Sequence, residues 1–565
     1  MYKRTNNELS GYASIDKPWL KWYDENALKE TIPSISLHEY IYRENKDRLD
    51  NIAVSFFEKT ITYGEVFDNI EIVYKAFLSY GIKKGDIVSV CIPNIPEAIY
   101  IFYALNKIGA ICNYVDPRAN MNVMAYHIRI AKSELLITIS DCYEIFKKIK
   151  KEAEIKHIAV LNVVESLNKY NGIDIADETD YTWEQFINAE NDYKIEQFDV
   201  DDNCPACILH TGGTTGTPKG ALLSNKNFHS LVKQWKYLGL PYEAQKTLLS
   251  LMPPFVSFGL TANMHVPLCY GMELILIPEY NPLKVVDQIA KYHPNCIPAS
   301  PAHWEEILVN KRIRRMDLSF LEIAFVGGDI ISTKLERGLN KLFEETNANI
   351  CLINAYGMTE TTTAISVPFN EKVRHEGSVG VPLPQTVVGI FDDDCNELKY
   401  GELGEICVRS NSVMLEYYKS DETEQTLILH NDGNKWMHTG DMGVISKDGI
   451  LYIKGRKKRI IIRYDGIKIY PVEVENVIMQ MSGVRKCIVV GKKDKRHLQG
   501  SFPVAYIVTD SKEKDIIIQR AKDYSLDHII DYAVPEQFFV LEDIPFTANG
   551  KIDYRFLENK ANGSM

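Results

Sequence analysis

Two kinds of apolar pattern alternate between Val54 and Asp116. Short apolar runs typical of strands occupy Val54–Phe57 and Asp86–Ile92, whereas Thr62–Tyr80 and Glu97–Ile108 carry apolar residues at helical spacing. Strands that alternate with helices in this way predict a parallel sheet flanked by helices. Further buried strands are predicted at Leu274–Pro278, Ile323–Val326 and Ile350–Asn354.

The chain has 565 residues, more than one hydrophobic core usually supports, so two or more domains are expected. From Gly401 onward the pattern changes to short strands and turns. A basic run follows at Arg456–Arg459, and beyond it come a predicted helix at Pro471–Met481 and further strands. We therefore predict an α/β protein whose large N-terminal domain, residues 1–457, has parallel-rich sheets flanked by helices plus a β subdomain. A small α+β C-terminal domain is predicted over residues 458–565.

The formal net charge of −12 argues against a surface that binds a nucleic-acid backbone, so no nucleic-acid partner is expected. The most apolar stretch runs from Ile87 to Val115 and is interrupted by Pro93, Glu97 and Lys107. No run has the length of a membrane-spanning helix, and the N-terminal residues lack the apolar segment of a secretory signal. We therefore expect neither a membrane span nor secretion.

Eleven cysteines in a chain of this length do not indicate a disulfide framework, and the cytoplasm is the expected location. Cys204 and Cys207 form one Cys-x-x-Cys pair, which is compatible with redox or metal chemistry. A zinc site of that type needs a second pair at matching spacing, and the sequence has none. The favoured interpretation is two thiols packed on a strand.

The segment Thr211–Gly220, TGGTTGTPKG, follows a predicted strand at Ala206–His210. Glycines let backbone N–H groups converge on an anion, hydroxyl groups add donors, and Lys219 supplies a mobile positive charge suited to phosphate. A Walker-type loop is excluded because Pro218 stands where that motif needs glycine, and Gly220 where it needs serine or threonine. A flexible glycine–threonine turn is the alternative. The predicted phosphate-binding residues are Thr211, Gly212, Gly213, Thr214, Thr215, Gly216 and Lys219.

TGGTTGTPKG resembles the signature loop of the adenylate-forming, or AMP-binding, superfamily, which includes acyl- and aryl-CoA synthetases. Further motifs stand in the family's order, so the resemblance extends from Ile61 to Asp553. It implies that the chain uses ATP and Mg²⁺ to convert a small-molecule carboxylic acid into an acyl-adenylate with release of pyrophosphate. A thiol then attacks the acyl group in a second half-reaction.

Asn354–Glu360, NAYGMTE, matches a second motif of the family. The resemblance assigns Asn354 and Tyr356 to the adenine and Thr359 to the α-phosphate. It assigns Glu360 to Mg²⁺, for which a carboxylate is a suitable hard ligand. The remaining nucleotide-binding residues of this motif are Ala355 and Gly357.

Three further segments resemble nucleotide-binding elements of the family. Gly327, Gly328 and Asp329 match the segment that lines the adenine. Asp441 would accept hydrogen bonds from the ribose hydroxyls, and Arg456 would lie near the ribose and phosphate.

PFTANGKID, at Pro545–Asp553, resembles the last family motif. Its lysine, Lys551 here, would stabilise the charge that develops as the carboxylate attacks the α-phosphate. The alternative is a solvent-exposed lysine in an Asn-Gly turn. The resemblance also implies that the C-terminal domain is mobile, with a hinge at Lys458, and that Gly466 lines the thiol tunnel. Because the segment from Arg456 to Gly466 is one residue longer than the commonest family spacing, the register of this loop stays open.

Phe255 and Val256 align with the family segment at the mouth of the acyl pocket, and Ser300 and Thr361 are further predicted pocket residues. Val256 offers no charged partner, so an α-amino acid would bury its ammonium group unpaired. We therefore predict a non-amino acid as substrate, fatty or aryl.

The acceptor thiol is predicted to be CoA, with a separate carrier protein as the alternative, because no carrier domain follows Lys551 in the sequence. A nucleotide-binding regulator without turnover is a further alternative. Loss of Lys551 or Glu360 would have favoured it, and both residues are present. A homodimer stays open.

Overall fold

The structure, a computed structural model, describes residues 9–167, 175, 177–189, 198–211, 219–497, 499–546 and 552–563. Two large sheets and a smaller antiparallel sheet form the first three quarters of the chain, and a three-stranded sheet with helices follows. The predicted α/β class is confirmed.

The first large sheet has eight strands, and its central pairs are parallel. In spatial order the strands are Glu416–Tyr417, Lys219–Ser224, Pro205–Thr211, Ile111–Tyr114, Ile87–Cys91, Leu135–Ile139, His157–Leu161 and Tyr181–Thr182. The helices that connect or follow these strands are Tyr63–Ser79, Pro96–Ile108, Met121–Ala131, Ser140–Ile149, Trp183–Ile187 and Asn225–Trp235.

The second large sheet has seven strands, all parallel apart from one edge hairpin. In spatial order they are Ile353–Asn354, Ile323–Val326, Cys296–Ala299, Thr247–Ser250, Glu273–Leu276, Ile52–Phe56 and Lys59–Thr62. The helices that accompany this sheet are Leu37–Asn45, Val266–Cys269, Val285–Tyr292, Pro301–Val309 and Thr333–Glu345, with a π-helix at Phe258–His265. The remaining short helices of the N-terminal part are Ala13–Asp16, Pro18–Trp22, Glu25–Leu28, Glu165–Leu167, Lys236–Leu238, Pro282–Lys284, Ile313–Arg315 and Thr359–Thr361.

The predicted elements near the N-terminus are present, with bounds that local chemistry explains. Helix Tyr63–Ser79 begins at a capping box, in which Thr62 and Glu65 exchange side chain-to-backbone hydrogen bonds. Helix Pro96–Ile108 begins at its proline and ends at Gly109, whose φ of +80° suits a left-handed C-cap.

The strands of this region do not form one sheet, although the alternating pattern predicted a single parallel sheet. Strand Ile52–Phe56 pairs in parallel with Glu273–Leu276, whereas the next predicted strand, Ile87–Cys91, lies in the eight-stranded sheet. The hairpin with Lys59–Thr62 and the long helix after it carry the chain from one sheet to the other. The alternation therefore predicted these strands and helices correctly. It did not show that the strands belong to two different sheets.

A five-stranded antiparallel sheet forms the predicted β subdomain. Its strands are Val387–Phe391, Gly404–Arg409, Lys435–Ile445, Leu427–Leu429 and Leu451–Arg456, with helix Glu422–Thr426 and a small hairpin of Ser366–Val367 with Val381–Pro382 nearby. The strand Lys435–Ile445 pairs with three of the other strands and is the centre of this sheet.

The C-terminal part has its own sheet and its own buried residues. Its strands are Ile461–Ile462, Lys468–Ile469, Lys486–Lys493, Ser501–Val508 and Gln537–Leu541; its helices are Lys457–Arg459, Pro471–Met479, Lys514–His528, Asp531–Ala533 and Tyr554–Asn562. Two apolar clusters lie within this part, one around Ile478 and Ile507 and the other around Val504 and Leu557. Their buried members all come from residues 461–561, so this part has a core separate from that of the large sheets.

Candidate active site

Four neighbouring parallel strands of the seven-stranded sheet end at the same cavity, which has a volume of about 730 Å³. Met252, Ser300, Gly327 and Ala355 follow the carboxyl ends of these strands and line it. Thr211, at the end of a strand of the other large sheet, lines its opposite side. Ligand sites of open α/β sheets lie at this edge, because loops from several strands converge there.

The cavity brings together many side chains that the sequence predicted for one site, although the motifs that carry them are far apart in the chain. The predicted residues that line it are Thr211, Lys219, Val256, Ser300, Gly327, Gly328, Asp329, Ala355, Tyr356, Gly357, Thr359, Glu360, Arg456 and Lys458.

Other predicted residues do not line the cavity. Asn354 lies at the end of its strand, where its amide donates to the Ser378 carbonyl at 3.4 Å. Phe255, Thr361 and Asp441 are buried behind the cavity wall, and Gly466 lies in a turn of the C-terminal part. The residues that lie outside the described part of the chain are Gly212, Gly213, Thr214, Thr215, Gly216 and Lys551.

A buried aspartate, an arginine and a tyrosine form one network beside the cavity. Asp441 is only 4 % exposed; its carboxylate accepts from the Tyr356 hydroxyl at 2.7 Å and pairs with Arg456 at 3.0 Å. Arg456 also donates to the Thr439 carbonyl at 3.0 Å. Burial raises the pKa of Asp441, and the charge of Arg456 opposes that shift. The pairing of strands Lys435–Ile445 and Leu451–Arg456, which sets Asp441 opposite Arg456, produces this contact.

Glu360 lies on the short helix Thr359–Thr361 and is 6 % exposed. The Tyr417 hydroxyl donates to its Oε1 at 2.6 Å, which fixes the orientation of the carboxylate at the cavity wall. Lys219 forms an ion pair with Glu422, and its ammonium lies 4.9 Å from the centre of the Tyr417 ring. At one end of the cavity, the Tyr417 side chain therefore contacts both the Glu360 carboxylate and Lys219, which is paired with Glu422.

The backbone around Gly357 is too crowded for any side chain. A Cβ atom at this position would lie 1.4 Å from the carbonyl oxygen of Thr363. The hydroxyl of Thr363 donates to the Ser257 carbonyl at 2.9 Å, and that of Thr362 donates to Ser412 at 2.7 Å. The segment after Gly357 thus folds back on itself and is fixed by hydrogen bonds to two other segments. These contacts hold Thr359 and Glu360 at the cavity.

The other end of the cavity is largely apolar. Trp235, Met252, Val256 and Phe325 contribute to its wall, and the rings of Trp235 and Phe325 lie 5.6 Å apart. The π-helix Phe258–His265 continues this wall. π-Helical turns are rare and are frequent at functional sites.

Two polar groups, Tyr280 and Ser300, also reach the apolar end. Their hydroxyls lie 3.0 Å apart, and the Ser300 hydroxyl contacts His303 Nδ1 at 2.8 Å. Trp304, on the same helix as His303, is fully buried and donates to the Phe325 carbonyl at 2.8 Å, so it is a core residue.

The residues on either side of Lys458 have contacts in different parts of the molecule. Lys457 lies 2.8 Å from Asp393 and 2.9 Å from Glu405, both in the β subdomain. Arg459 lies 2.5 Å from Glu475, and its guanidinium is 3.7 Å from the centre of the Tyr554 ring, both in the C-terminal part.

The C-terminal part closes one side of the cavity. Lys486 and Tyr554 line it together with Phe546 and Ile552, which form a β-bridge with each other. Lys486 pairs with Glu305 of the N-terminal part at 2.6 Å.

A second link between the two parts is made by Lys334. Its ammonium donates to the carbonyls of Met479 at 3.0 Å and Val484 at 2.9 Å.

The motifs did not identify some cavity residues. Tyr417, Glu422, Lys486 and Tyr554 carry no local pattern that marks them, because each reaches the cavity through contacts with distant segments. The bond from Tyr417 to Glu360, for example, spans 57 positions.

All eleven cysteines are free thiols, as predicted. Cys207 is buried on strand Pro205–Thr211, and the thiol of Cys204, just before it, contacts Asp201 at 3.3 Å. Within the part of the chain that the structure describes, no helix is both long enough and apolar enough to cross a lipid bilayer.

The fold and the cavity define an α/β protein with a binding site at the carboxyl edge of a parallel sheet, closed by a small second domain. Residues 42–418 match the AMP-binding enzyme family, and residues 473–551 match the AMP-binding enzyme C-terminal domain. The chain therefore belongs to the AMP-binding enzyme family, and the resemblance seen in its motifs is confirmed.

Two relatives show how far the similarity extends. A long-chain-fatty-acid–CoA ligase of Bacillus subtilis strain 168 is 27 % identical over 562 residues, which cover 95 % of this chain and 96 % of that protein. The 4-coumarate-CoA ligase 1 of Narcissus pseudonarcissus is 26 % identical, with 92 % of each chain covered.

Two solved structures share the fold. That of the anthranilate CoA ligase AuaEII in complex with anthranoyl-AMP has a TM-score of 0.83 at 21 % identity, covering 95 % of this chain and 99 % of the other. That of the o-succinylbenzoate CoA synthetase MenE from Bacillus subtilis, in complex with ATP and a magnesium ion, has a TM-score of 0.75 at 23 % identity, covering 92 % and 99 %. At these identities the likeness concerns the fold alone.

Proposed function

We propose that the protein is an AMP-forming acid–CoA ligase for a fatty or aryl acid. ATP and the acid would give acyl-AMP and pyrophosphate, and the thiol of CoA would then displace AMP to give the thioester. The observation that carries the proposal is one continuous cavity. It has the Tyr356–Arg456 network at one side, the Lys219–Glu360 region beside it and the apolar wall around Val256 beyond. The names of the relatives, CoA ligases of fatty and aryl acids, support the same reaction.

The nucleotide would occupy the polar side of the cavity. Gly327 and Gly328 leave the wall without side chains, and Tyr356 presents its ring there. The Asp441 carboxylate would accept hydrogen bonds from the ribose hydroxyls, in competition with Tyr356 and Arg456. Thr211, Thr359 and Lys219 would contact the phosphates, with Lys219 released from Glu422.

The Glu360 carboxylate suits Mg²⁺, because it is a hard oxygen ligand whose orientation is fixed by Tyr417. Mg²⁺ bound there would neutralise charge on the pyrophosphate leaving group. Because Glu360 is fixed before the nucleotide arrives, no rearrangement of its side chain is required.

Lys551 is proposed as the residue that stabilises charge at the α-phosphate during adenylation. It lies outside the described residues, and the support comes from its neighbours on either side. Phe546 and Ile552 both line the cavity and pair with each other, so the chain enters and leaves this motif beside the proposed nucleotide site.

We also propose a division at Lys458, with domains at residues 1–457 and 458–565. The separate apolar clusters of residues 461–561 support two domains. The contacts of Lys457 with one domain and of Arg459 with the other support a hinge between them. After rotation, Gly466 would line the path of the thiol; its φ of +83° and the open space around it suit a close approach.

The acid would lie against Val256, Trp235 and Phe325. These three side chains are all apolar and would leave an ammonium group without a partner, which supports a non-amino acid. The site resembles many ligand pockets in being mostly apolar with a few placed polar groups, here Tyr280 and Ser300.

The test is an acid panel of matched pairs, read by pyrophosphate release with and without CoA. Octanoate is compared with 2-aminooctanoate, and 3-phenylpropanoate with phenylalanine, so that each pair differs only in the α-amino group. We expect release of AMP and pyrophosphate with at least one non-amino acid and a thioester only when CoA is present. Preference for the amino acids would refute the substrate class, and cleavage to ADP would refute adenylation. A thioester formed on a phosphopantetheinylated carrier but not on CoA would transfer the proposal to that acceptor.

A further inference from the structure

Three side chains with metal-binding atoms meet in the β subdomain, outside the set of residues assigned to ATP and the acid. They are Cys395, His430 and His438, and one nitrogen or sulfur atom of each lies within 4.8 Å of the others. Cys395 lies in the turn after strand Val387–Phe391, and His438 on the central strand. The three are separated in sequence and meet only in the folded sheet.

His438 has the orientation of a metal-bound histidine. Its Nδ1 faces the Glu405 carboxylate at 3.2 Å, and Glu405 is also fixed by Lys457 and by the backbone N–H of Gly440. A histidine that donates from Nδ1 to a carboxylate keeps the lone pair of Nε2 available, and such carboxylate–histidine pairs are the usual outer support of zinc ligands. The Nε2 of His438 points at His430.

His430 is 6 % exposed, and its ring has one hydrogen-bond contact among the described residues. Its Nε2 lies 2.8 Å from Nε2 of His438, and its Nδ1 is buried without a hydrogen-bond partner. The ring is held from the sides by Phe391, at 4.7 Å, and by Trp436, at 5.9 Å. The one hydrogen bond of this buried ring is therefore the contact that a metal ion between the two Nε2 atoms would replace.

We propose that Cys395, His430 and His438 bind Zn²⁺, with water in a fourth position. A thiolate and two imidazoles form the ligand set that borderline divalent metals prefer, whereas Mg²⁺ prefers oxygen. In a tetrahedral zinc site the ligand atoms lie about 3.3–3.8 Å apart, as follows from Zn–N and Zn–S bond lengths. The two histidine nitrogens, which lie 2.8 Å apart, would therefore separate by about half an ångström. The sulfur, which lies within 4.8 Å of the nitrogens, would approach them as it coordinates the ion.

The protons of the site balance simply. The Cys395 thiol releases its proton to solvent when the sulfur coordinates zinc. His438 keeps its Nδ1 proton on the Glu405 side, and His430 carries its proton on Nδ1 instead of Nε2. One nitrogen of His430 is without a partner in either tautomer, so zinc binding adds no buried polar group that lacks a bond.

An ion can reach the site from solvent, and a bound ion would connect several segments of the β subdomain. Cys395, Glu405 and His438 lie at the edge of the large cavity, so an ion can reach them. A bound ion would fasten the turn at Cys395 to the strand that carries Asp441. Through Glu405 and Lys457 it would also stabilise the segment just before Lys458. We therefore expect zinc to raise the thermal stability of the protein.

The experiment titrates the full-length, metal-depleted protein with Co²⁺ in a phosphine reductant, with Mg²⁺ in excess to occupy oxygen sites. We expect a saturable signal at one equivalent, with a thiolate-to-cobalt charge-transfer band in the near ultraviolet that Zn²⁺ removes by displacement. Cys395→Ser is expected to lose this band, and His430→Gln to bind at least about tenfold more weakly. The matched controls are Cys351→Ser and His375→Gln, which replace the same residue types outside the cluster.

Thermal unfolding with and without Zn²⁺ gives a second measurement that does not depend on enzyme activity. The melting temperature of the unaltered protein and of both controls should rise, and that of Cys395→Ser should not. The proposal is overturned if the folded protein gives no thiolate band. It is also overturned if Cys395→Ser retains the band, or if zinc stabilises Cys395→Ser as much as the unaltered protein.

Discussion

A carboxylate as buried as Asp441 is stable only with partners that oppose the cost of its desolvation. Arg456 and Tyr356 provide these partners before any ribose is present. The same three residues therefore stabilise the fold and, in the proposed site, would bind the nucleotide. Substitution of any one of them changes both properties, so their effects must be separated by measurement.

A double-mutant cycle on Asp441 and Arg456 measures how much their pairing contributes to stability alone. We expect Arg456→Met to lower the free energy of unfolding by about 2 kcal/mol, less than for a fully buried pair because the arginine side chain is 42 % exposed. Asp441→Asn with Arg456→Met should cost less than the sum of the single changes, since the second change removes the unpaired charge. Urea denaturation of the four proteins measures this coupling, and additive effects would contradict it.

Lys551 permits a sharper test of a single catalytic step. Lys551→Ala should slow adenylate formation by about 100- to 1,000-fold, the usual effect of removing one group that stabilises transition-state charge. Thioester formation from supplied acyl-AMP should be nearly unchanged. Lys560→Ala, on the exposed side of helix Tyr554–Asn562, is the matched control. Equal loss in both half-reactions would show that the lysine does not act in one step alone.

At the scale of elements, the segment after strand Ile353–Asn354 is shaped by backbone crowding. Gly357→Ala would drive a methyl group into the Thr363 carbonyl, so we expect a loss of at least about 3 kcal/mol in the free energy of unfolding. Gly327→Ala is the comparison, because its Cβ would meet only the Phe258 ring at 3.5 Å. Its expected cost is below about 1 kcal/mol. Similar losses in chemical denaturation would contradict the crowding argument.

Helix Thr333–Glu345 carries Lys334, which forms one of the links between the N-terminal and C-terminal parts. Lys334→Ala removes two hydrogen bonds to the C-terminal part and should weaken the observed domain arrangement by about 1 kcal/mol, or fivefold. Because Lys486, Phe546 and Tyr554 face the cavity in this arrangement, adenylation should slow while thioester formation from acyl-AMP does not. Lys341→Ala, on the same helix and paired with Glu345 at 3.8 Å, is the control. An equal effect of both substitutions would argue against the domain contact.

For the whole molecule, the separate apolar clusters make a prediction about folding. A fragment of residues 458–565 should unfold cooperatively on its own, since two apolar clusters are formed by buried residues of 461–561 alone. Calorimetry and the dispersion of its NMR spectrum measure this. A fragment without a thermal transition would show that the C-terminal part depends on the N-terminal domain.

Local patterns predicted elements well where local physics determines them. The capping box at Thr62 and the glycine at Gly109 fix helix ends that are visible in the sequence. The division of strands between two sheets was not predictable, because it depends on pairing between Ile52–Phe56 and Glu273–Leu276, more than two hundred residues apart. In the candidate site too, residues with a recognisable local motif were predictable and residues brought in by distant contacts were not.

Motif residues such as Lys219, Tyr356 and Glu360 were found through the family resemblance. Tyr417, which fixes Glu360, was not, since only the folded chain brings it there. The cluster of Cys395, His430 and His438 was missed for the same reason. Its ligands do not follow the short spacing by which metal motifs are recognised in a sequence.

The contacts around Lys458 have a kinetic consequence. Lys457 contacts the β subdomain and Arg459 contacts the C-terminal part, so a reorientation at the proposed hinge cannot be spread over a long linker. If both anchors persist, the change of orientation is concentrated in the two backbone torsions of one residue, and few intermediate orientations are accessible. The turnover rate would then depend on a single torsional barrier. Substitution of Lys458 would then change the speed of the whole cycle while leaving both end states unchanged.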